Sequence, residues 1–206
     1  MRNVSLLLPL LSGLLALTAC FSGLNSKTPA QQRYVLQLPA TLTPEPEARA
    51  APAMGAVQVM RPAVAPGLAT EGIAVLRSGA RLDYYSNARW AADAPSALQS
   101  LIIESLRHAG RFAMVEAEGG PFASQYLLSL DLTHFEARYG ADGPPTIEVE
   151  LVASLGRRSD RSMLRSFTAH SDVRAQADRM QAVIAAFEQA TGEALAQISA
   201  GATPQP

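Results

Sequence analysis

The sequence predicts an α+β fold in which an antiparallel β-sheet carries two amphipathic helices packed on one face. Residues 126–133 and 147–155 alternate apolar and polar side chains with a period of two, which is typical of strands with one packed and one solvated face. Two segments, beginning near Asp93 and Met180, repeat apolar residues at helical spacing. Helices and strands in this arrangement favour a two-layer fold.

The remaining strands are short and bounded by turn residues. They are predicted at residues 33–38, 56–60, 73–76, 81–85, 111–115 and 162–170. Pro39 and Pro62 end the first two, because proline has no N–H to donate to a ladder. Gly79 lies between the third and the fourth, which predicts a β-hairpin.

Both helices carry terminal signals. Asp93 or Ala94 is expected to cap the first helix, Pro95 suits its first turn, and Gly110 is placed to end it in a left-handed cap. The second helix is expected to end near Gly201 and Pro204. Its predicted buried stripe comprises Met180, Val183, Ile184, Phe187, Thr191, Ala194, Leu195 and Ile198.

The amino-terminal segment has the layout of a secretory signal peptide. Arg2 precedes an apolar run that closes on Leu17-Thr18-Ala19-Cys20. Cys20 is the only cysteine, and a Leu-x-Ala-Cys ending resembles a bacterial lipobox, in which the cysteine becomes an acylated N-terminus. The run is too short and interrupted to span a bilayer. The sequence therefore predicts export and a membrane anchor of acyl chains, such as palmitate, on Cys20. Phe21 in place of an aspartate favours the outer membrane, facing the periplasm.

These features predict the domain organisation. Residues 1–19 are the signal peptide, residues 20–32 the lipidated tether, residues 33–200 a single domain, and residues 201–206 a tail. Within the domain, residues 40–55 form a loop rich in proline and alanine.

Composition and motifs argue against several function classes. With 17 basic and 18 acidic side chains, the chain lacks the basic excess of nucleic-acid-binding proteins. His108, His134 and His170 are far apart in sequence, so no metal site is predicted. Phosphate-binding loops and hydrolase motifs are missing from the sequence, and neither an enzyme nor a cofactor is expected.

Several short segments occur in an order and spacing typical of one family. They are Cys20, Tyr34-Val35-Leu36, Val57-Gln58-Val59-Met60-Arg61-Pro62, Pro66-Gly67-Leu68, Ile73-Ala74, Tyr84-Tyr85, Arg89-Trp90, Tyr126-Leu127-Leu128 through Phe135, and Ala185-Ala186-Phe187. On these residues the chain resembles the ABC-type transport auxiliary lipoproteins, which include the paraquat-inducible protein C lipoproteins. The resemblance extends over nearly all of the chain after Cys20.

The resemblance implies a function. Such lipoproteins are expected to be periplasmic accessory subunits of ABC systems built around a mammalian-cell-entry (MCE) domain protein. Those systems move phospholipid or other hydrophobic molecules between the inner and outer membranes. The expected partners are the membrane, the MCE-domain protein and the ABC permease and ATPase. A homo-oligomer is compatible with such a conduit.

Two questions stay open at this level. Tyr84, Tyr85, Arg89 and Trp90 are candidate partner-docking residues, because Trp, Tyr and Arg are enriched in binding hot spots; the alternative is that they close the core where hairpin meets helix. The alternative function is a stand-alone envelope lipoprotein that binds a hydrophobic ligand or has a structural role.

Acidic side chains on the predicted sheet admit two interpretations. Glu148 and Glu150 share one strand face, and Asp131 is expected nearby. Such side chains are usually solvated, and a catalytic carboxylate pair is the less favoured interpretation.

Overall fold

The computed structural model describes residues 31–38, 54–77 and 81–202. The predicted signal peptide, Cys20, residues 40–53 of the predicted loop and Pro204 lie outside these ranges. Along the chain the elements are β1 (Gln32–Tyr34), β2 (Met54–Val59), β3 (Ala63–Val64), β4 (Gly72–Arg77), β5 (Arg81–Trp90), α1 (Ala94–Ala109), β6 (Phe112–Ala117), β7 (Tyr126–Arg138), β8 (Thr146–Arg157), β9 (Met163–Arg174) and α2 (Met180–Gly201).

Strand β7 organises the sheet. One of its edges pairs with β8 along nearly the whole strand, and β9 continues the sheet beyond β8. The other edge of β7 takes β2, β3 and β4 in succession, opposite residues 126–128, 131–132 and 136–138. Beyond this row, β6 pairs with β2, while β5 and then β1 follow β4.

The α+β class and the two helices are confirmed, and the sheet is mixed. The pairs β4–β5, β7–β8 and β8–β9 are antiparallel, as predicted. The pairs β1–β5, β2–β6, β2–β7, β3–β7 and β4–β7 are parallel, so the expectation of a wholly antiparallel sheet is corrected. The reason is that side-chain alternation specifies which face a residue occupies and carries no information on strand direction.

The helices lie on one face of the sheet, and their ends follow the predicted signals. Asp93 caps α1 by accepting a hydrogen bond from the Ser96 amide at 3.0 Å. Gly110 ends α1 with φ of 64°, and its N–H donates to the Arg107 carbonyl. Helix α2 packs on β8 and β9, and α1 packs on β6. Of the stripe predicted for α2, all but the half-buried Met180 are buried.

The core lies between the sheet and the helices. Ile147, Val149 and Leu151 of β8 face the helices and are fully buried. The two helices also meet directly, and the hydroxyls of Ser105 and Ser199 lie 2.8 Å apart in the buried interface. Among the described residues, no helix has the length and apolar character needed to cross a membrane.

Candidate docking surface

Trp90 belongs to the core. Its side chain is 2% exposed at the end of β5. The indole ring contacts Phe187 of α2 edge-on, with ring centroids 5.2 Å apart, and Phe135 of β7 at 5.7 Å. Trp90 thus links strand β5 to strand β7 and to helix α2. Aromatic clusters of this kind stabilise a hydrophobic core. The predicted place of Trp90 in a docking surface is therefore corrected: a partner cannot touch it while the core is intact.

Tyr85 is half-buried and takes part in a hydrogen-bond network. Its hydroxyl lies 2.9 Å from the Tyr139 hydroxyl, which donates to an Asp178 carboxylate oxygen at 2.6 Å. Burial raises the pKa of the Tyr85 hydroxyl above its ordinary value. This network ties β5 to the segment after β7 and to the approach to α2, so Tyr85 has a structural role.

Tyr84 and Arg89 are exposed on the same strand. The Tyr84 side chain is 44% exposed, and its hydroxyl donates to the Gly67 carbonyl at 2.7 Å. Its ring lies against Gly72, where an added Cβ would come within 2.6 Å of Tyr84 Cδ1. Leu82 lies beside it and is also exposed. Of the four candidate residues, Tyr84 and Arg89 thus remain available to a partner.

The edge of β5 adds backbone groups to this surface. On the side away from β4, β1 pairs with β5 only at Ala88, Arg89 and Trp90. Within the described ranges, residues 81–85 have no strand partner on that side, and the Ser86 carbonyl accepts a hydrogen bond from Gln31 Nε2 at 3.1 Å. An unpaired strand edge offers N–H and C=O groups to an added strand. We call residues 81–85 together with Arg89 the hairpin edge.

The outer face of β7 holds residues that sequence reasoning missed. Leu128, Leu130 and Leu132 face the core, but a bulge between Leu132 and His134 reverses the alternation. Beyond it Phe135 and Ala137 face the core, while His134 and Glu136 turn outward beside Glu148. Bulges are known to re-aim side chains in this way. The sequence carried one signal of this reversal: the apolar residues fall at even numbers up to Leu132 and at odd numbers from Phe135 onward.

Of the acidic residues on the sheet, Asp131 has the expected solvated position and Glu148 does not. Asp131 pairs with Val152 and is exposed. Glu148 is 8% exposed, so it is buried and not solvated. His134, Glu136 and Glu148 are close enough to hold a metal ion.

Comparison with protein families gives one assignment. The family model described as the ABC-type transport auxiliary lipoprotein component matches residues 34–199 of this chain. That match includes every strand after β1, all of α1, and α2 up to its last two residues. Comparison with curated protein sequences finds no match.

Solved structures share the fold. A Xanthomonas campestris protein assigned to the DUF330 family is 25% identical, with a TM-score of 0.74, covering 84% of this chain and 94% of its own. A second structure, described as an uncharacterized protein, is 18% identical with a TM-score of 0.65 and covers 84% of this chain and 99% of its own. The mixed sheet with two helices is thus an arrangement that occurs in other proteins.

Proposed function

Because the chain belongs to the family of ABC-type transport auxiliary lipoprotein components, we propose that it is a periplasm-facing accessory subunit of an MCE-type ABC system. In this role it assists the movement of lipid or another hydrophobic molecule between the inner and outer membranes and catalyses no reaction itself. The family match over residues 34–199 is the observation that carries the proposal. Acylation of Cys20 would hold the domain at the outer membrane.

The hairpin edge is the proposed contact with the MCE-domain protein. Two of its features support this choice: its backbone groups at residues 81–85 lack a strand partner within the described ranges, and Tyr84 presents a half-exposed ring that Gly67 and Gly72 hold in place. A rigid aromatic side chain beside a free edge combines the two sources of affinity in strand addition, main-chain hydrogen bonds and a side-chain anchor.

The test is a pull-down of the full-length lipoprotein from detergent-solubilised envelopes, followed by mass spectrometry. We expect an MCE-domain protein to be recovered with its permease and ATPase. Tyr84→Ala should reduce that recovery by about tenfold or more, as expected for a hot-spot residue. Phe122→Ala is the matched control, because Phe122 is a 61% exposed aromatic outside the hairpin edge.

Two results would count against the proposal in different ways. Recovery of the lipoprotein alone, in a detergent that keeps another envelope complex intact, would remove the transport assignment. Recovery of the complex at equal yield with Tyr84→Ala and Phe122→Ala would keep the assignment and reject the hairpin edge as the contact.

One observation favours a second function, the binding of a hydrophobic ligand by the chain itself. An open groove of about 610 Å³ lies beside the β8–β9 turn and is lined by the apolar side chains of Leu127 and Met163 together with three arginines and three serines. Met163 is 69% exposed there. If this function holds, lipid should co-purify with the lipoprotein freed of partners, and Met163→Asp should lower the amount recovered.

A further inference from the structure

Three adjacent strands bring five metal-binding side chains together on the outer face of the sheet. Glu148 of β8 lies opposite Glu136 of β7 on one side and opposite Asp172 of β9 on the other. Two residues further along β8, Glu150 lies opposite His134 of β7 on one side and opposite His170 of β9 on the other. We call His134, Glu136, Glu148, His170 and Asp172 the outer-face cluster.

Glu148 is shared by two sets of potential ligands. His134, Glu136 and Glu148 form one set and Glu148, His170 and Asp172 the other, and in each set the ligand atoms all lie within 4.8 Å of one another. The five residues come from three separate strands, with His134 and Glu136 on β7, Glu148 on β8, and His170 and Asp172 on β9. Paired strands hold their backbones in fixed register, so the approach of the side chains is a property of the fold.

The distances suit a transition-metal ion. His134 Nδ1 lies 2.8 Å from Glu136 Oε1 and 3.9 Å from Glu148 Oε1. In a tetrahedral site with metal–ligand distances near 2.1 Å, the ligand atoms are separated by about 3.4 Å. The observed separations lie on both sides of that value, so small side-chain rotations would bring the three atoms around one ion.

The charges of the outer-face cluster are also incompletely balanced. Glu136 and Glu148 are 4% and 8% exposed. The guanidinium of Arg138 contacts both of them, at Glu136 Oε1 and at Glu148 Oε2. Together with Asp172, three carboxylates face one arginine. Buried charge is costly unless it is compensated, and a divalent cation would supply the missing positive charge.

We propose that His134 Nδ1 and the carboxylates of Glu136 and Glu148 bind a divalent transition-metal cation, with Zn²⁺ the best match to one imidazole and two carboxylates. Three protein ligands leave one position of a tetrahedral ion open. His170 and Asp172 lie close enough to Glu148 to share that ligand with the first set. The proposed site is independent of the transport function and of the hairpin edge.

The test is titration of the full acylated chain with ZnCl₂ by calorimetry, in a detergent solution free of chelators and without a histidine tag. Acylated Cys20 cannot contribute a thiolate. We expect saturable binding of one Zn²⁺ per chain. Glu148→Gln and His134→Ala should each weaken the affinity by about tenfold or more. His108→Ala is the matched control, because His108 is an exposed histidine on α1, outside the outer-face cluster.

Thermal unfolding with and without ZnCl₂ gives a second measurement, since a ligand that binds the folded chain raises its midpoint. The shift should be present in the unaltered chain and in His108→Ala and absent in His134→Ala. If Glu148→Gln does not fold, the His134→Ala variant still tests the proposal, because His134 is partly exposed and its replacement should be tolerated. Absence of saturable binding, or equal affinity in His134→Ala and His108→Ala, would overturn the proposal and leave Arg138 as the balancing charge.

Discussion

The hydroxyl of Tyr84 donates a hydrogen bond to the carbonyl of Gly67 at 2.7 Å and ties β5 to the turn before β4. Gly67 has φ of 89°, and a Cβ there would lie 2.3 Å from Leu82 Cδ2 and 3.3 Å from the Tyr84 hydroxyl oxygen. The turn therefore needs glycine twice over, for its backbone conformation and for the space that the two side chains fill. The exposed part of the hairpin edge depends on this fit.

Gly67→Ala is expected to destabilise the protein through both effects. The left-handed backbone conformation costs a non-glycine residue about 1–2 kcal/mol. Leu82 is an exposed side chain whose Cδ2 end can rotate away, so its displacement adds at most about 1 kcal/mol. Gly119→Ala is the matched control, since Gly119 has φ of 81° and its added Cβ would meet no atom within 4 Å. Urea unfolding measures the loss of unfolding free energy in each variant. The loss in Gly67→Ala minus the loss in Gly119→Ala is the steric cost of the added methyl group at position 67. Equal losses would mean that Leu82 and Tyr84 move aside without cost.

The contact between the two helices gives a second prediction. Ser105→Ala should lower the unfolding free energy by about 1–3 kcal/mol, because it leaves the buried Ser199 hydroxyl without its partner. The double variant Ser105→Ala/Ser199→Ala removes both polar groups and should lose less than the sum of the single changes. A double-mutant cycle measures this coupling. Strict additivity would show that each hydroxyl is satisfied by another group.

The limits of sequence reasoning are clearest at β7. The sequence shows alternation over residues 126–133, and its simple continuation would place His134 and Glu136 on the core face. The bulge between Leu132 and His134 reverses that assignment. Its position depends on pairing with β8, a tertiary contact that local alternation does not encode. For the same reason, the proximity of His134 to Glu148 followed from register and could not be read from spacing along the chain.

Sequence signals were reliable for features that depend on residues close in the chain, such as the helix ends. The cap at Asp93, the left-handed Gly110 and the buried stripe of α2 each depend on neighbouring residues, and all three are confirmed. Strand β3 was not predicted, because two residues are too few to show a period. For Trp90 the sequence left a docking role and a core role open, because its burial depends on Phe135 and Phe187, which are distant in sequence.

The aromatic cluster supplies a third prediction. Phe187 is fully buried and contacts Trp90 and Phe135, so Phe187→Ala removes contacts from both rings and leaves a cavity. We expect a loss of about 3–5 kcal/mol in unfolding free energy. The exposed Phe122 is the control, and Phe122→Ala should change stability by less than about 0.5 kcal/mol. Trp90 fluorescence reports unfolding in both variants. A loss below about 1 kcal/mol for Phe187→Ala would contradict tight packing of α2 on the sheet.

The last prediction concerns the start of α1 and its dependence on pH. Partial burial raises the pKa of the Asp93 carboxyl, but hydrogen bonds from Ser96 and the charge of Arg61 outweigh that effect and hold the pKa below its ordinary value. Arg61 Nη2 lies 2.7 Å from Asp93 Oδ1. Because the folded pKa lies below the unfolded one, the unfolded state binds more protons in this range, and stability falls as pH decreases. The contribution is complete above the unfolded pKa and is lost as pH falls through the folded pKa.

Two substitutions at Asp93 separate its capping from its charge. Asp93→Ala should lower the unfolding free energy at pH 7 by about 1 kcal/mol, the usual effect of removing an N-cap. Asp93→Asn keeps an oxygen for the Ser96 amide and removes the ionisation, so it should lose less at pH 7. Urea unfolding from pH 7 to about pH 3, below the ordinary aspartate pKa, should bring the unaltered chain and Asp93→Asn closer together as the pH falls. A constant difference between them over that range would mean that the Asp93 charge contributes nothing to folding, and that Asp93 acts through its hydrogen bonds alone.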